Sequence, residues 1–282
     1  MKLATIRLGD GSTTAVRIEE GAGEAVELAA PDVGVLLRQP GWVGMAEGAQ
    51  GRRHDLASVS YAPVVPRPGK IICVGLNYRT HLMEQGMAPP AHPTLFAKYA
   101  SALTGAHDDI VLPRTSQAID WEVELAVVIG ATVKGADVSN AASAVAGYAV
   151  INDVSMRDWQ YRTSQFLQGK TFDAATPFGP WLVTRDDQTV SEAGMALYCE
   201  VDGERVQEGS TDDMVFGPAE LISYISGAMT LHPGDVISSG TPGGCGHWRE
   251  PPRYLQDGNV LVSKVAGVGE CRNLCRREDE RN

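Results

Sequence analysis

The sequence is poor in the features that mark several large protein classes. Its five cysteines are scattered and odd in number, with no C-x-x-C pair, which disfavours a disulfide framework or a zinc knuckle and favours a reducing, cytoplasmic location. No apolar stretch approaches the ~20 residues that are needed to span a bilayer, so we expect no membrane association. The first residues, MKLATIRLGDGS, lack the long apolar core of a signal peptide.

Positive charge is also scarce. The formal net charge is −11 and no basic run occurs outside the mixed tail RREDER, so the sequence disfavours a nucleic-acid partner. No dinucleotide fingerprint is present, and the phosphate loop that FLQGKTFD resembles requires glycine at the position of Ser164. We therefore interpret Lys170 as a lone cation for an oxyanion or a substrate carboxylate, with a solvated lysine as the alternative.

Short apolar runs bounded by glycine, proline or Asn-Asp dominate the rest of the chain. Residues 1–65 predict a small unit with a β-hairpin around GDGS and a short helix in DVGVLLRQP, followed by a proline-rich linker, APVVPRPGK. Residues 66–282 predict many strands and few helices, which favours an α+β, mostly β, sandwich or barrel. The helical patterns are VSNAASAVAG, VSMRDWQYRTSQFL and PAELISYISGAM, and EVDGER predicts an Asp-Gly hairpin turn.

The predicted strand IDWEVELAVV carries an unusual set of acids. Asp120, Glu122 and Glu124 occupy alternate positions, so a strand places them on one face, roughly 7 Å apart. A solvated face of an antiparallel strand is one interpretation. The strand continues into AVVIG, however, which is apolar on both faces and predicts an inward course. Buried carboxylates must find a cation or take up a proton.

A second acidic segment, YAVINDVSMRDWQ, could complete this site. Asp153 lies where a strand ends, and Asp153, Arg157 and Gln160 share one helical face if a helix begins there. A helix cap and a solvated face are the alternatives. If Asp153 meets Glu122 and Glu124, the resulting all-oxygen site suits Mg²⁺, Mn²⁺ or Ca²⁺ better than zinc, and part of the metal's coordination shell stays open for substrate.

Two further segments carry groups suited to chemistry. In GLNYRTHLMEQG, His81 and Glu84 are three residues apart, so one helical turn would let the carboxylate orient the imidazole, although a surface pair is also possible. In GDVISSGTPGGCG, a strand runs into a glycine-rich turn that holds Thr241. Such a turn can simply reverse the chain, or its N–H groups can approach an anion beside the threonine hydroxyl.

Taken together, these segments resemble the fumarylacetoacetate hydrolase family, in the family's order and over roughly residues 66–275. The matching segments are GLNYRTHLMEQG, PTLFAKYASALTG, DWEVELAVVIG, NDVSMRDWQ, QGKTFD, GDVISSGTPGGCG and GVGECRN. The family usually has T-G-T-P-x-G-V-G where this chain has Ser239 and Cys245. The resemblance implies a mixed β-sandwich roll, a homodimer and a divalent metal, Mg²⁺ or Mn²⁺, in a cleft.

The resemblance also implies roles for individual residues. Glu122, Glu124 and Asp153 correspond to metal ligands. The catalytic groups are His81 and Glu84, as a lid dyad, with Lys170. The expected substrate contacts are Tyr78, Arg157, Gln160, Lys170 and Thr241.

These roles lead to a specific functional hypothesis. We expect a metal-dependent hydrolase that cleaves the C–C bond of a 2,4-diketo acid, an acylpyruvate, into pyruvate and a carboxylic acid. His81, oriented by Glu84, activates water, while the metal and Lys170 stabilise the enolate that leaves. The alternatives are decarboxylation of an oxo acid such as oxaloacetate, isomerisation of a dienedioate on the same site, and a non-catalytic metal-binding protein.

Overall fold

The computed structural model describes residues 1–190 and 194–279 and is mostly β. The strands are β1 Lys2–Arg7, β2 Thr13–Glu19, β3 Glu24–Glu27, β4 Arg53–Asp55, β5 Ser60–Tyr61, β6 Ile71–Gly75, β7 Thr94–Lys98, β8 Leu103–Thr104, β9 Ile110–Leu112, β10 Ile119–Asp120, β11 Val123–Ile129, β12 Val145–Asn152, β13 Ser155–Met156, β14 Thr176–Thr184, β15 Ala196–Val201, β16 Glu204–Ser210, β17 Val236–Ser238, β18 Val260–Val265 and β19 Gly269–Arg277. The α-helices are short: α1 Val33–Leu37, α2 Trp42–Glu47, α3 Arg79–Glu84, α4 Val138–Ala141, α5 Arg157–Gln160, α6 Leu167–Lys170 and α7 Pro218–Ala228. None of the helices in this described part of the chain has the length and apolar character needed to cross a bilayer.

Two sheets pack against each other. The larger sheet has the order β4-β3-β2-β1-β14-β12-β11-β17-β6-β7, with β5 beside β1 and β8 beside β14. The smaller sheet has the order β16-β15-β18-β19-β9, and its strands β15, β18 and β19 pack on β11, β12 and β14. The predicted mostly β, mixed-sheet architecture is confirmed.

Strand β11 lies at the centre of this arrangement and is buried along its whole length. Val123, Leu125 and Val127 join the core between the two sheets, whereas Ala126 and Val128 join a second core on the opposite face. A strand that is buried on both faces has a continuous run of apolar residues in its sequence, as AVVI shows here. The predicted inward course of this strand is therefore confirmed, and its acids enter the interior.

The first 65 residues share the main sheet with the rest of the chain. The predicted hairpin is present as β1 and β2, and β1 also pairs with β14 through Lys2 opposite Val183 and Leu3 opposite Leu182. The segment predicted as a linker is buried at Val64 and Val65, and the Thr5 hydroxyl donates to the Val64 carbonyl at 2.7 Å. The division at residue 65 stays a prediction about domain organisation.

Local structure departs from the sequence pattern at one helix. The pattern VSMRDWQYRTSQFL predicts one helix, but the chain forms strand β13 and then two separate turns of helix, α5 and α6. Asp153 lies before β13 and therefore outside any helix, because Ser155 and Met156 pair with Asp120 and Ile119 of β10. The predicted Asp-Gly turn is present, with positive φ at Asp202 (54°) and Gly203 (83°) between β15 and β16.

The pairing of β1 with β14 leads to a prediction for a chain that begins at residue 66. Removing β1 leaves a backbone edge of β14 unpaired and uncovers the apolar core to which Leu3, Leu36 and Val64 contribute. We expect this truncated chain to be insoluble or to unfold without a cooperative transition in calorimetry, whereas the full chain unfolds cooperatively. A soluble fragment with a sharp transition would show that residues 1–65 are an independent unit.

Candidate active site

The carboxylates predicted from sequence meet at one end of β11 and β12. These strands pair antiparallel with Val123 opposite Asn152, so the residue before β11 lies beside the residue after β12. The Asp153 N–H donates to the Glu122 carbonyl at 2.9 Å and fixes the two residues side by side. One carboxylate oxygen each from Glu122, Glu124 and Asp153 lies within 4.8 Å of the other two, and all three residues are buried. We call these three residues the carboxylate cluster.

Three buried cations surround the carboxylate cluster. The Lys170 ammonium lies 2.7 Å from Glu122 Oε2 and 3.2 Å from Asp153 Oδ2, and the Arg157 guanidinium lies 2.7 Å from Glu122 Oε1. Lys98 Nζ lies 2.9 Å from Asp153 Oδ1. Sequence reasoning missed Lys98, although a lysine at the end of the apolar strand TLFAK was the available signal. These ion pairs offset the desolvation of the acids.

Asp120 serves a different purpose from the other two acids of its segment. Its Oδ2 accepts from Arg157 Nε at 2.9 Å and from the His247 N–H at 3.0 Å, while its Oδ1 accepts from the Gly246 N–H at 2.7 Å. Asp120 belongs to β10, which pairs with β13 rather than continuing into β11. It therefore fixes Arg157 and the glycine-rich turn and lies outside the carboxylate cluster.

Neighbouring glutamates differ strongly in proton affinity. Burial opposes ionisation of Glu122, but Lys170 and Arg157 outweigh it and lower the pKa of Glu122 to about 2. Burial, together with the charges of Asp153 and Glu122, raises the pKa of Glu124 to about 8. The Ser238 hydroxyl at 2.5 Å and the Gly240 N–H at 2.8 Å donate to Glu124 Oε2. Glu122 is thus a permanent anion, whereas Glu124 holds a proton near neutral pH.

The carboxylate cluster fits a hard divalent cation. Its donors are all oxygen atoms, which Mg²⁺ and Mn²⁺ prefer. Both Asp153 oxygens are buried and lack a well-aligned hydrogen bond, so they have lone pairs to offer. Burial raises the pKa of Glu124, and repulsion from Asp153 and Glu122 raises it further; a divalent ion would relieve that repulsion.

A small cavity of about 220 Å³ opens beside the carboxylate cluster. The predicted site residues in its wall are His81, Glu122, Arg157, Gln160, Lys170 and Thr241. Its apolar wall includes Val74, Leu76, Met87, Phe96 and Phe166. The structure therefore brings most of the predicted groups to one space, which both charged and apolar side chains line.

Four predicted residues do not belong to the wall of this cavity: Glu124 and Asp153, which are members of the carboxylate cluster, and Tyr78 and Glu84. Tyr78 is fully buried in the core and its hydroxyl has no hydrogen-bond partner among residues 1–190 and 194–279. Its assignment as a substrate contact stays a prediction. Glu84 lies behind His81, where its Oε1 accepts from the Gly244 N–H at 2.5 Å.

The His81–Glu84 pair forms on α3 as the spacing predicts. His81 Nδ1 lies 3.4 Å from Glu84 Oε2, which is long for a charge-assisted hydrogen bond. The other ring nitrogen of His81 lies 2.8 Å from Gln85 Nε2, so Gln85 is a contact that sequence reasoning missed. His81 is nearly buried and faces the cavity, which suits a group that exchanges protons with a bound molecule.

The glycine-rich turn is held by side chains rather than exposed to solvent. The Thr241 hydroxyl donates to the Val123 carbonyl at 2.9 Å and accepts from Gln207 Nε2 at 2.9 Å. Gly240 has a φ of 99°, a conformation that lets its N–H reach Glu124. The N–H groups of this turn donate to carboxyl groups of the protein itself, with Asp120, Glu84 and Glu124 as the acceptors.

Comparison with known proteins shows the family of this chain. The sequence pattern of the fumarylacetoacetate (FAA) hydrolase C-terminal domain matches residues 70–276. The chain belongs to the fumarylacetoacetate hydrolase family. It is 45% identical over 215 residues to the human protein named oxaloacetate tautomerase FAHD2A, mitochondrial, covering 76% of this chain and 68% of the human one.

Solved structures of the fumarylacetoacetate hydrolase family have the same fold. A fumarylacetoacetate hydrolase from the psychrophile Exiguobacterium antarcticum superposes with a TM-score of 0.86 at 33% identity, covering 99% of this chain and 100% of that one. A 2-hydroxyhepta-2,4-diene-1,7-dioate isomerase from Mycobacterium marinum gives a TM-score of 0.81 at 31% identity, with the same coverage. The family fold expected from the sequence is confirmed.

The raised pKa of Glu124 predicts how the stability of this protein depends on pH when no metal is bound. An unfolded glutamate ionises near pH 4.5, so folding at pH 8 requires Glu124 to take up a proton or to stay ionised beside other anions. We expect Glu124→Gln in EDTA to stabilise the protein by roughly 2–4 kcal/mol at pH 8, and by much less at pH 5, where protonating the unfolded glutamate costs little free energy. Calorimetric Tm values at the two pH values measure this difference.

The exposed Glu208 provides the matched control, because Glu208→Gln removes a solvated charge and should change Tm little at either pH. A Glu124→Gln variant that is destabilised at pH 8 would contradict the assignment of Glu124 as a strained buried acid.

Proposed function

We propose that this protein is a divalent-metal-dependent enzyme that interconverts the keto and enol forms of a small 2-oxo carboxylic acid, with oxaloacetate as the first candidate. The observation that carries the proposal is His81 facing a small cavity that Lys170 and Arg157 also line. One proton-transfer group and fixed positive charge are the minimum that enolisation requires. The name of the human relative, oxaloacetate tautomerase, supports the choice of substrate.

The size and charge of the cavity favour a small anion. Its volume of about 220 Å³ is below the roughly 300–1,000 Å³ of pockets for drug-sized ligands. The Gln160 oxygen accepts from Arg157 Nη1 at 2.8 Å, so the Gln160 amide presents N–H donors rather than an acceptor to a substrate. Substrate carboxylate oxygens would accept from this amide and from Lys170.

Lys170 acts as a fixed cation rather than as a base. Burial favours its neutral form, but Asp153 and Glu122 outweigh burial and raise the pKa of Lys170. The ammonium therefore stays protonated and can donate to the 2-oxo oxygen as negative charge develops there. A divalent ion held by the carboxylate cluster would add Lewis acidity beside the same oxygen.

His81 is the group placed to move the proton. In the enol-to-keto direction, His81 delivers a proton to the carbon next to the carbonyl, the enol oxygen loses its proton to solvent water as the C=O bond forms, and His81 then takes a proton back from solvent. The reverse direction removes the carbon proton, so no atom is gained or lost overall. The apolar wall of Val74, Leu76 and Phe96 limits competing water beside the reacting carbon.

Hydrolysis of an acylpyruvate is the second candidate, and the apolar part of the cavity wall favours it. In that reaction His81 takes a proton from water, the water oxygen bonds to the distal carbonyl carbon, the C–C bond breaks, and the proton passes from His81 to the released enolate carbon to give pyruvate and a carboxylic acid. The apolar wall with Met87 and Phe166 would suit an apolar acyl group. We rank it second because the 3.4 Å contact and the Glu84–Gly244 bond leave His81 weakly oriented for activating water.

The first test follows oxaloacetate in its enol form. With Mg²⁺ we expect the enzyme to accelerate loss of enol absorbance without pyruvate formation, with lactate dehydrogenase reporting any pyruvate. Lys170→Met should reduce the rate by roughly 10²–10³-fold, and His81→Asn by roughly 10²–10⁴-fold. His92→Asn is the matched control, because His92 is an exposed histidine outside the cavity wall. Equal rates for His81→Asn and His92→Asn would refute the role of His81.

The second test separates the two candidate reactions. A panel of acylpyruvates is incubated with enzyme in Mg²⁺ or in EDTA, and pyruvate and the carboxylic acid product are measured. We expect no stoichiometric product from the panel if tautomerisation is the physiological reaction. Metal-dependent release of both products from one member would move the assignment to C–C hydrolysis, and pyruvate from oxaloacetate alone would move it to decarboxylation.

A further inference from the structure

A second group of potential metal ligands lies beside the carboxylate cluster and contains a thiol. One ring nitrogen of His81, one carboxylate oxygen of Glu122 and the sulfur of Cys245 lie within 4.8 Å of one another. All three residues are buried, and Cys245 Sγ lies 3.9 Å from His81 Nδ1. We call this group the thiol cluster.

The thiol cluster is built on three separate elements that hold its members in place. His81 belongs to α3, Glu122 precedes β11, and Cys245 lies in the glycine-rich turn after β17. The turn is fixed on both sides of the thiol, since the Gly244 N–H donates to Glu84 and the Gly246 N–H donates to Asp120. The sulfur is therefore held toward His81 by the backbone.

The donor types of the two clusters select different metals. The carboxylate cluster offers oxygen only, whereas the thiol cluster offers nitrogen, sulfur and oxygen, a set typical of Zn²⁺ and Co²⁺. Tetrahedral zinc with bonds of about 2.0–2.3 Å separates its ligand atoms by roughly 3.3–3.8 Å. The present separations of up to 4.8 Å must shorten to reach this range, and Glu122 must exchange an ion pair with Lys170 or Arg157 for the metal. Since His81 and Glu122 line the cavity, an ion can reach them from solvent.

We propose that His81, Glu122 and Cys245 form a second metal site, selective for Zn²⁺ and similar thiophilic ions, with a water molecule as the fourth ligand. Glu122 belongs to both clusters, so a zinc ion in this site competes with a hard ion in the carboxylate cluster. Zinc also occupies the lone pair that His81 needs for proton transfer. The site would make the protein sensitive to thiophilic metals whatever its substrate is.

Cobalt is the probe for this site, because a thiolate bound to Co²⁺ gives a near-ultraviolet charge-transfer band. We expect the wild-type protein to show the band with one equivalent of Co²⁺ in the presence of excess Mg²⁺, and Zn²⁺ to abolish it. Cys245→Val should remove the band and weaken Zn²⁺ binding by ~100-fold in calorimetry. Cys271→Val, at a buried cysteine in β19, should leave the band intact.

Two further variants complete the test. One distinguishes the two clusters, and the other controls for misfolding. Glu124→Gln should weaken Mg²⁺ binding yet keep the cobalt band, because Glu124 belongs only to the carboxylate cluster. Cys245→Ala is the smaller replacement if Cys245→Val does not fold. The proposal is overturned by a wild-type protein without the band, by a band that survives both Cys245 variants, or by loss of the band in Glu124→Gln or Cys271→Val.

Discussion

The structure of the site depends on the balance of charge buried at the end of β11. Four acids, Asp120, Glu122, Glu124 and Asp153, face three cations, Lys98, Arg157 and Lys170. A buried ion without a partner is far more costly than a paired one, so these residues constrain one another. With one negative charge unmatched, the proton on Glu124 restores neutrality. The strands that carry these groups must therefore stay in register, and the two cores on either side of β11 hold them there.

Much of this site could be predicted because the acids stand on a strand that is apolar on both faces. The apolar continuation of the strand indicated that Glu122 and Glu124 enter the interior, and the family resemblance rather than the local pattern added Asp153. Lys98 was not predicted, because a lysine at the end of a strand is ordinarily solvated. The pairing of β6 with β7 places it near Asp153. Strand register over long distances is set by tertiary packing, which a local pattern does not encode.

The role of Asp120 shows a different limit of sequence patterns. Alternation makes Asp120, Glu122 and Glu124 equivalent, yet the strand is interrupted between Asp120 and Val123. The interruption turns Asp120 toward Arg157 and away from the carboxylate cluster. The helical spacing of Arg157 and Gln160 gave the right neighbours through one turn of α5, although the longer helix does not exist. Arg157 and Gln160 are neighbours because a single helical turn is enough to bring them together. The position of Asp153 relative to them is set by β-sheet pairing.

Glu122 and Glu124 show how one short segment can supply two kinds of carboxylate. Glu122 is ionised at any working pH because Lys170 and Arg157 contact it, so it is a constant anchor for a cation. Glu124 contacts a hydroxyl and an N–H and gives up its proton readily only when further positive charge arrives. A divalent ion would therefore replace a proton rather than add to an already balanced site. The site then gains one net positive charge, which is the condition that favours an anionic oxo acid over a neutral molecule.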